Sequence, residues 1–369
     1  MSDKRRCVGI DLRMWEHPGI GRYLRELYFA MLRKEPRLAF RLLAPESVQK
    51  SLKFRHADVE FQKASSSIYS LAEQWELLSF AKKAELLHVP HFNVPVLYGG
   101  KLVVTVHDLV YLKDAKYSGS ELGRAYVKYL FKQIEKKADA VLAVSEYTKN
   151  DLIEHFPKLK DRIFVTHEAA SFLFQPAASA DLEQAKKKYA LNKPFVLFVG
   201  SLKAHKNVSV LIEAMRLLRE EKGISHELLL VGGKDKKEKE LLALIERNSS
   251  FVRAVGRIDD EELVNFYGLA EVFVLPSLWE GFGLPVLEAM ACGAPVLASA
   301  RASLPEAMGE AGRLFDPTRV DELKELLYNV LQNRDLRQKM RVEGFAQAKK
   351  FSWDKTAAET LSVYERVLR

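Results

Sequence analysis

Short apolar runs alternate with amphipathic helical segments along almost the whole chain, and the series occurs twice. Cys7–Asp11, Leu38–Ala44, Leu86–Val89, Leu102–His107, Ala140–Val144 and Arg162–Thr166 read as strands. Between them the apolar residues recur at the helical period, as in Leu24, Leu27, Tyr28, Met31 and Leu32 on one face of a helix opened by Gly19-Ile20-Gly21. A second series starts near Pro194, with strands at Phe195–Val199, Leu228–Val231, Phe251–Val255, Val272–Pro276 and Pro295–Ala298. Nearly continuous apolar strands fit a parallel sheet covered on both faces, and strand–helix–strand repetition supplies that order. The prediction is an α/β protein of two doubly wound, Rossmann-like domains. The first covers residues 1–172 and the second residues 173–351, with the linker inside Ala169–Asn192. From Val320 the pattern is almost all helical. A last helix, residues 352–369, carries Ala357, Leu361, Tyr364 and Leu368 along one side and must bury that side somewhere.

The length of 369 residues suits two domains, and the 48% hydrophobic content suffices for a core in each. No apolar run approaches the roughly 18 residues of a membrane span, and Cys7-Val8-Gly9-Ile10 is too short for a signal-peptide core. Two distant cysteines, Cys7 and Cys292, support neither a disulfide framework nor a thiolate zinc site. A cytoplasmic protein is expected. Residues 1–175 hold 28 Lys and Arg against 21 Asp and Glu, a balance of +7, whereas residues 176–369 hold 29 against 28, a balance of +1. A basic first half can attract phosphates or an anionic membrane surface, or be no more than a solvated surface. Nucleic acid has only this net charge in its favour and is not expected as a partner.

In doubly wound folds ligands sit beyond the carboxyl ends of the strands, so the strand–helix junctions hold the candidate chemistry. Glu280-Gly281-Phe282-Gly283-Leu284-Pro285-Val286-Leu287-Glu288 is the most informative of them. A carboxylate closes a strand and loop, glycines let backbone approach a ligand, Pro285 suits a first helical turn, and a second carboxylate follows one turn inside. Amides at the helix start add donors. That set suits the hydroxyls of a sugar and a ribose; its structural alternative is a capped helix with surface acids. Gly200-Ser201 through Asn207 ends a strand with Lys203, His205 and Lys206 in the turn, an anion site suited to a diphosphate, or else a basic loop. Gly19 and Gly21 allow close approach to a phosphate, yet Leu24 stands where a dinucleotide fingerprint has its third glycine, which disfavours a dehydrogenase. His107-Asp108 ends a strand, as a reactive or a structural histidine, and Gly256-Arg257 ends another.

Taken together these residues resemble the retaining glycosyltransferases of family four, with the two-domain GT-B fold, over essentially the whole chain. Glu280 and Glu288, spaced Glu-x7-Glu, carry most of the resemblance. Gly19-Ile20-Gly21-Arg22-Tyr23, His107-Asp108, Val144-Ser145-Glu146, Lys206-Asn207 and Phe351-Ser352-Trp353 fall in the expected order. The resemblance implies two domains facing across a cleft, with the last helix crossing back onto the first. It implies that Glu288 holds the ribose and Glu280 the donor sugar. The amides of Gly281, Phe282, Gly283 and Leu284 then meet sugar and phosphate, and Lys206, with Gly200 and Ser201 beside it, meets the diphosphate. Gly19 and Gly21 line the phosphate side, His107 meets the reacting sugar, and Arg257 lies near the base. No cofactor and no metal are expected, since no Asp-x-Asp motif or zinc spacing occurs. The expected partners are a GDP- or UDP-sugar and a glycan or lipid-linked acceptor. Gly-Ile-Gly-Arg-Tyr and the Lys-Asn turn look most like bacterial mannosyltransferases of surface polysaccharide synthesis, which implies GDP-mannose. An epimerase on the same fold and a non-catalytic nucleotide-sugar-binding subunit are the rival readings. Two departures stand out: Ser201 where many relatives have arginine, and Thr166-His167-Glu168-Ala169 where many have Asn-Gly.

Overall fold

The computed structural model describes residues 5–34, 36–51, 59–113, 120–233 and 235–369. They form two units. One runs to Glu168 and takes in Trp353–Arg369; the other is Ala169–Ser352. The sequence reading drew the first division at 172/173, and the contacts draw it at 168/169, with Phe174 already edge-on to Tyr267 of the second unit.

The first unit is a seven-stranded parallel sheet in the order β3-β2-β1-β4-β5-β6-β7. Its strands are β1 (Arg6–Asp11), β2 (Leu38–Ala44), β3 (Val59–Lys63), β4 (Leu86–Val89), β5 (Lys101–Val106), β6 (Ala140–Ala143) and β7 (Ile163–Val165). β4, β5 and β6 are buried almost throughout, which is why they read as unbroken apolar runs. Helix Glu121–Lys137 buries Val127, Leu130, Phe131 and Ile134 and is capped by Ser120, whose hydroxyl accepts from the Gly123 amide. Ser145 caps helix Glu146–His155 in the same way. The last helix, Trp353–Leu368, lies on helix Ile20–Arg33 and on β4–β6. It is tied down by a buried polar chain. Tyr364 Oη is 2.6 Å from His88 Nδ1, His88 Nε2 is 2.8 Å from Thr105 Oγ1, and Tyr23 Oη is 3.0 Å from the same hydroxyl. Burial, with the nearby His107, pulls His88 down to about 3, so it serves this chain as a neutral ring.

The second unit is a six-stranded parallel sheet in the order β10-β9-β8-β11-β12-β13. Its strands are β8 (Phe195–Val199), β9 (Glu227–Val231), β10 (Val252–Gly256), β11 (Val272–Leu275), β12 (Val296–Ser299) and β13 (Arg313–Phe315). In each sheet the strand order reverses beside the first strand, between β1 and β4 and between β8 and β11. Those reversals open a crevice at the carboxyl ends.

Several elements differ from the sequence reading. β5 stops at Val106, so His107 is already outside the ladder, and β11 stops before Pro276, which has no amide to give. β3, β13 and helix Leu71–Ala81 were not foreseen. Helix Ser179–Lys188 occupies the expected linker; it buries only Ala185, so it shows no apolar stripe.

Candidate active site

In the second unit the carboxyl ends of β8, β9 and β10 lie side by side and each ends in glycine. Gly200, Gly232 and Gly256 have φ of 154°, 143° and 88°. The Gly200 amide donates to Val231 O and the Gly232 amide to Gly256 O. A Cβ on Gly232 would stand 1.9 Å from the Gly200 carbonyl oxygen, so only glycine permits this approach. The result is a ledge of bare backbone. Arg257, itself exposed, lies across Gly233, with Nε 3.0 Å from where a Cβ would be.

The turn after β8 carries the cations. Residues Ala204–Lys206 form one 3-10 turn, and Asn207 takes the left-handed conformation with φ 52° to start helix Val208–Lys222. Asn207 Nδ2 donates to Pro317 O at 2.9 Å, and the Leu278 amide donates to His205 O at 2.8 Å. The Pro317 bond ties the turn to the segment after β13, and the Leu278 bond ties it to the loop after β11, across the strand-order reversal. There Lys206 Nζ donates to Glu280 Oε1 at 2.6 Å, and Ser277 Oγ donates to the same oxygen at 2.6 Å. Ser303 Oγ holds the Glu280 carbonyl at 2.9 Å. Burial pushes the Glu280 carboxyl up, but the Lys206 charge and the hydrogen bonds from Lys206 and Ser277 outweigh it and hold it below its ordinary value. Burial also pulls His205 down to about 4, with Lys206 and Lys203 adding to the effect and Glu280 opposing it. Lys206 is thus the cation of this turn that meets Glu280, Lys203 is exposed, and His205 is a neutral neighbour.

Gly283, with φ 105°, precedes helix Leu284–Cys292, and a Cβ there would meet Leu304 Cδ2 at 2.7 Å. Phe282 is 2% exposed and packs edge-on to Phe351 at 5.3 Å. Its side chain is therefore an anchor of the loop. Glu288 is 1% exposed and accepts a hydrogen bond from Tyr267 Oη at 3.1 Å. The structure brings Lys206 and Glu280 together, and Ser201 stands at the same strand end, half-buried.

In the first unit Gly19 is exposed, with φ 83° and open space where a Cβ would point. Gly21 differs. Its amide donates to His17 O, and a Cβ would lie 2.2 Å from the Trp15 carbonyl oxygen, so the chain's own turn requires glycine here. His107 follows β5, with Nδ1 3.1 Å from Glu168 Oε1 and Nε2 3.2 Å from Pro90 O. Asp108 accepts from the Val110 amide and so shapes the following turn.

Residues 18–169 match the family model described as Glycosyltransferase Family 4, and residues 180–347 match Glycosyl transferases group 1. The O-antigen chain mannosyltransferase B of Escherichia coli is 33% identical over 79% of this chain and 77% of its own length. The chain belongs to the family four glycosyltransferases. This enzyme is also 30% identical, over 76% of its length, to the serotype-specific mannosyltransferase WbdA of Escherichia coli, of which it spans 35%. Among solved structures, Anabaena Alr3699/HepE in complex with UDP and glucose superposes with a TM-score of 0.79 at 18% identity, covering 98% of this chain and 100% of that one. WaaG, a glycosyltransferase involved in lipopolysaccharide biosynthesis, superposes at 0.77 with 16% identity, covering 96% and 99%. Both likenesses are of fold, and that fold is GT-B.

Sequence reasoning missed four residues of this site: Ser277, Ser303, Tyr267 and, as a partner of His107, Glu168. Ser303 stands apart from any motif, and Ser277 lies just ahead of the stretch that begins at Glu280. Glu168 was visible only as a departure from the family pattern. Among the described residues, Asp151, Glu154 and His155 bring ligand atoms close enough for a metal ion. Asp151 already accepts from Lys113 Nζ at 2.5 Å, and this group lies on helix Glu146–His155, apart from the residues above.

Proposed function

We propose that this glycosyltransferase moves mannose from GDP-mannose to a glycan or lipid-linked acceptor, with retention at the anomeric carbon and without a metal. The observation that carries the reading is the Lys206–Glu280 pair at the strand-order reversal of the second sheet, beside a glycine ledge open to a nucleotide. Lys206 supplies a positive charge where a diphosphate leaving group gains negative charge, and helix amides add donors that need no metal. Glu280 is a carboxylate held ionised, an acceptor for sugar hydroxyls. Ser277 keeps it oriented when Lys206 turns to the diphosphate. Arg257 reaches over the ledge toward the base, Glu288 takes the ribose once Tyr267 yields it, and His107 meets the reacting sugar. In a front-face transfer the leaving diphosphate accepts the acceptor's proton, so the protein's part is electrostatic and positional. Mannose as the donor sugar rests on the mannosyltransferases among the relatives; a nucleotide-sugar donor also fits HepE, solved with UDP and glucose.

Incubation of the purified enzyme with GDP-mannose and a mannan acceptor, followed by proton NMR of the new linkage, tests this reading. An α-mannoside formed equally well in EDTA is expected. A β-mannoside rejects retention, and activity lost to EDTA and restored by magnesium rejects metal independence.

A peripheral place at an anionic membrane is part of the same proposal. No helix of the described residues is long and apolar enough to cross a bilayer. Helix Glu121–Lys137 exposes Leu122, Tyr126 and Tyr129 among Lys128, Lys132 and Lys136, apolar and basic groups suited to an acidic lipid surface. Flotation with anionic liposomes at low salt should carry the enzyme, and salt should release it. An enzyme that stays behind at low salt has no such affinity.

A further inference from the structure

Glu168 closes the first unit's N-terminal segment, in the stretch Thr166-His167-Glu168-Ala169 that follows β7. Its carboxylate lies 3.1 Å from His107 Nδ1, with the two side chains 8% and 15% exposed. The opposite ring nitrogen, Nε2, faces the Pro90 carbonyl at 3.2 Å. The Tyr23 ring stands edge-on to the imidazole, with centroids 4.8 Å apart at 89°. Thr148 Oγ1 donates to the His107 carbonyl at 3.0 Å. The residue is therefore held on its backbone and its ring face, with an acceptor beside each ring nitrogen.

Both partners of the ring are acceptors. A neutral imidazole carries one N–H and can satisfy only one of them. A bond to a carboxylate is charge-assisted and stronger than one to a peptide carbonyl, so the proton belongs on Nδ1. That leaves a lone pair on Nε2 turned to the Pro90 carbonyl, an unfavourable contact that a donating hydroxyl relieves. A side-chain amide at this place can donate or accept and so leaves the tautomer open; a carboxylate only accepts and dictates it.

We propose that Glu168 is the positioning residue of His107: it fixes the proton on Nδ1 and so presents Nε2 as the acceptor for a hydroxyl of the reacting sugar. No bond is made or broken on Glu168, and no proton is transferred to it. The proposal rests on the reading of His107 as the residue that meets that sugar.

Two experiments test it. The first is NMR of the whole protein with 15N-labelled histidine at mildly alkaline pH, with His107 identified by its loss in His107→Ala. The wild type is expected to show the Nδ1–H tautomer, and Glu168→Ala to move the proton toward Nε2. The second is steady-state kinetics. Glu168→Ala should lower kcat about 10- to 100-fold, the worth of one charged hydrogen bond, with the donor KM little changed. In a His107→Ala background the same substitution should cost nothing more, because its effect passes through the ring. Glu168→Gln, nearly the same size, should recover part of the loss, and it serves in both experiments where Glu168→Ala does not fold. An Nε2–H or doubly protonated ring in the wild type overturns the proposal. So does a loss that is as large without His107 as with it. Turnover absent with every nucleotide-sugar rejects the proposed function instead, and the NMR result then decides the tautomer by itself.

Discussion

Replacing Lys206 with alanine strands a carboxylate, and the consequence depends on pH in a way that can be worked out. In the native enzyme Glu280 Oε1 receives both Lys206 Nζ and Ser277 Oγ at 2.6 Å. The Lys206 and Glu280 side chains are 15% and 11% exposed, so the pair is enclosed but not dry. Burial opposes ionisation of Glu280, and Lys206 supplies most of what overcomes it. A carboxyl held below its ordinary value near 4.5 contributes stability that is present above that value and lost as pH falls through the folded pKa. Without Lys206 burial prevails and the carboxyl rises, so its contribution is full in acid and lost as pH rises. The difference between wild type and Lys206→Ala should therefore be small in acid and largest at neutral pH. Breaking a fully buried pair costs about 3–5 kcal/mol. Residual exposure reduces this to about 2–3 kcal/mol here, roughly 4–12 °C in melting temperature. Thermal melts from about pH 3 to about pH 8 on the wild type, Lys206→Ala and Lys206→Ala/Glu280→Gln measure it, and the double variant should recover most of the loss at neutral pH. A difference that is constant with pH, or larger in acid, refutes the reasoning.

His205, pulled down to about 4 by burial and its lysine neighbours, gives stability that is full above its ordinary value of 6.5 and lost as pH falls toward about 4. His205→Gln should flatten that part of the melting profile and leave neutral-pH turnover nearly unchanged; a large loss of turnover would make this ring part of the chemistry. Glu288→Gln should weaken binding of free nucleotide in calorimetry, whereas Glu280→Gln should spare it and lower turnover. The reverse pattern rejects the assigned roles.

Most strands of the two sheets were legible because burial on both faces keeps them predominantly apolar: β2, β4 and β8 lie where the apolar runs lie, despite Arg41 in β2 and His88 in β4. Helix Leu71–Ala81 was not, since its apolar residues make no clean stripe, and β3 shows no continuous apolar run. In the site, Lys206 and Glu280 were legible as chemistry at strand ends, though 74 residues apart, because the fold rule places strand ends together. Nothing local connects Glu168 with His107, 61 residues away; that pair depends on where β5 and β7 end in the sheet. Ser277, three residues before Glu280, was close enough to read, but a lone serine does not mark itself as a donor to that carboxylate. Residue type also hid packing demands: Gly21 meets the Trp15 backbone and the Phe282 ring meets Phe351, each inside its own unit.

The central claim is that the Lys206–Glu280 end of the second sheet binds a nucleotide-sugar and activates its diphosphate as a leaving group. The most direct measurement is nucleotide release by purified wild type and Lys206→Ala across a panel of GDP- and UDP-sugars with a mannan acceptor. Release of GDP from GDP-mannose is expected, with little from UDP-sugars, and a fall of about two orders of magnitude or more in a folded Lys206→Ala. Release only from UDP-sugars contradicts the assigned donor, and a folded Lys206→Ala nearly as active as wild type contradicts the claim itself.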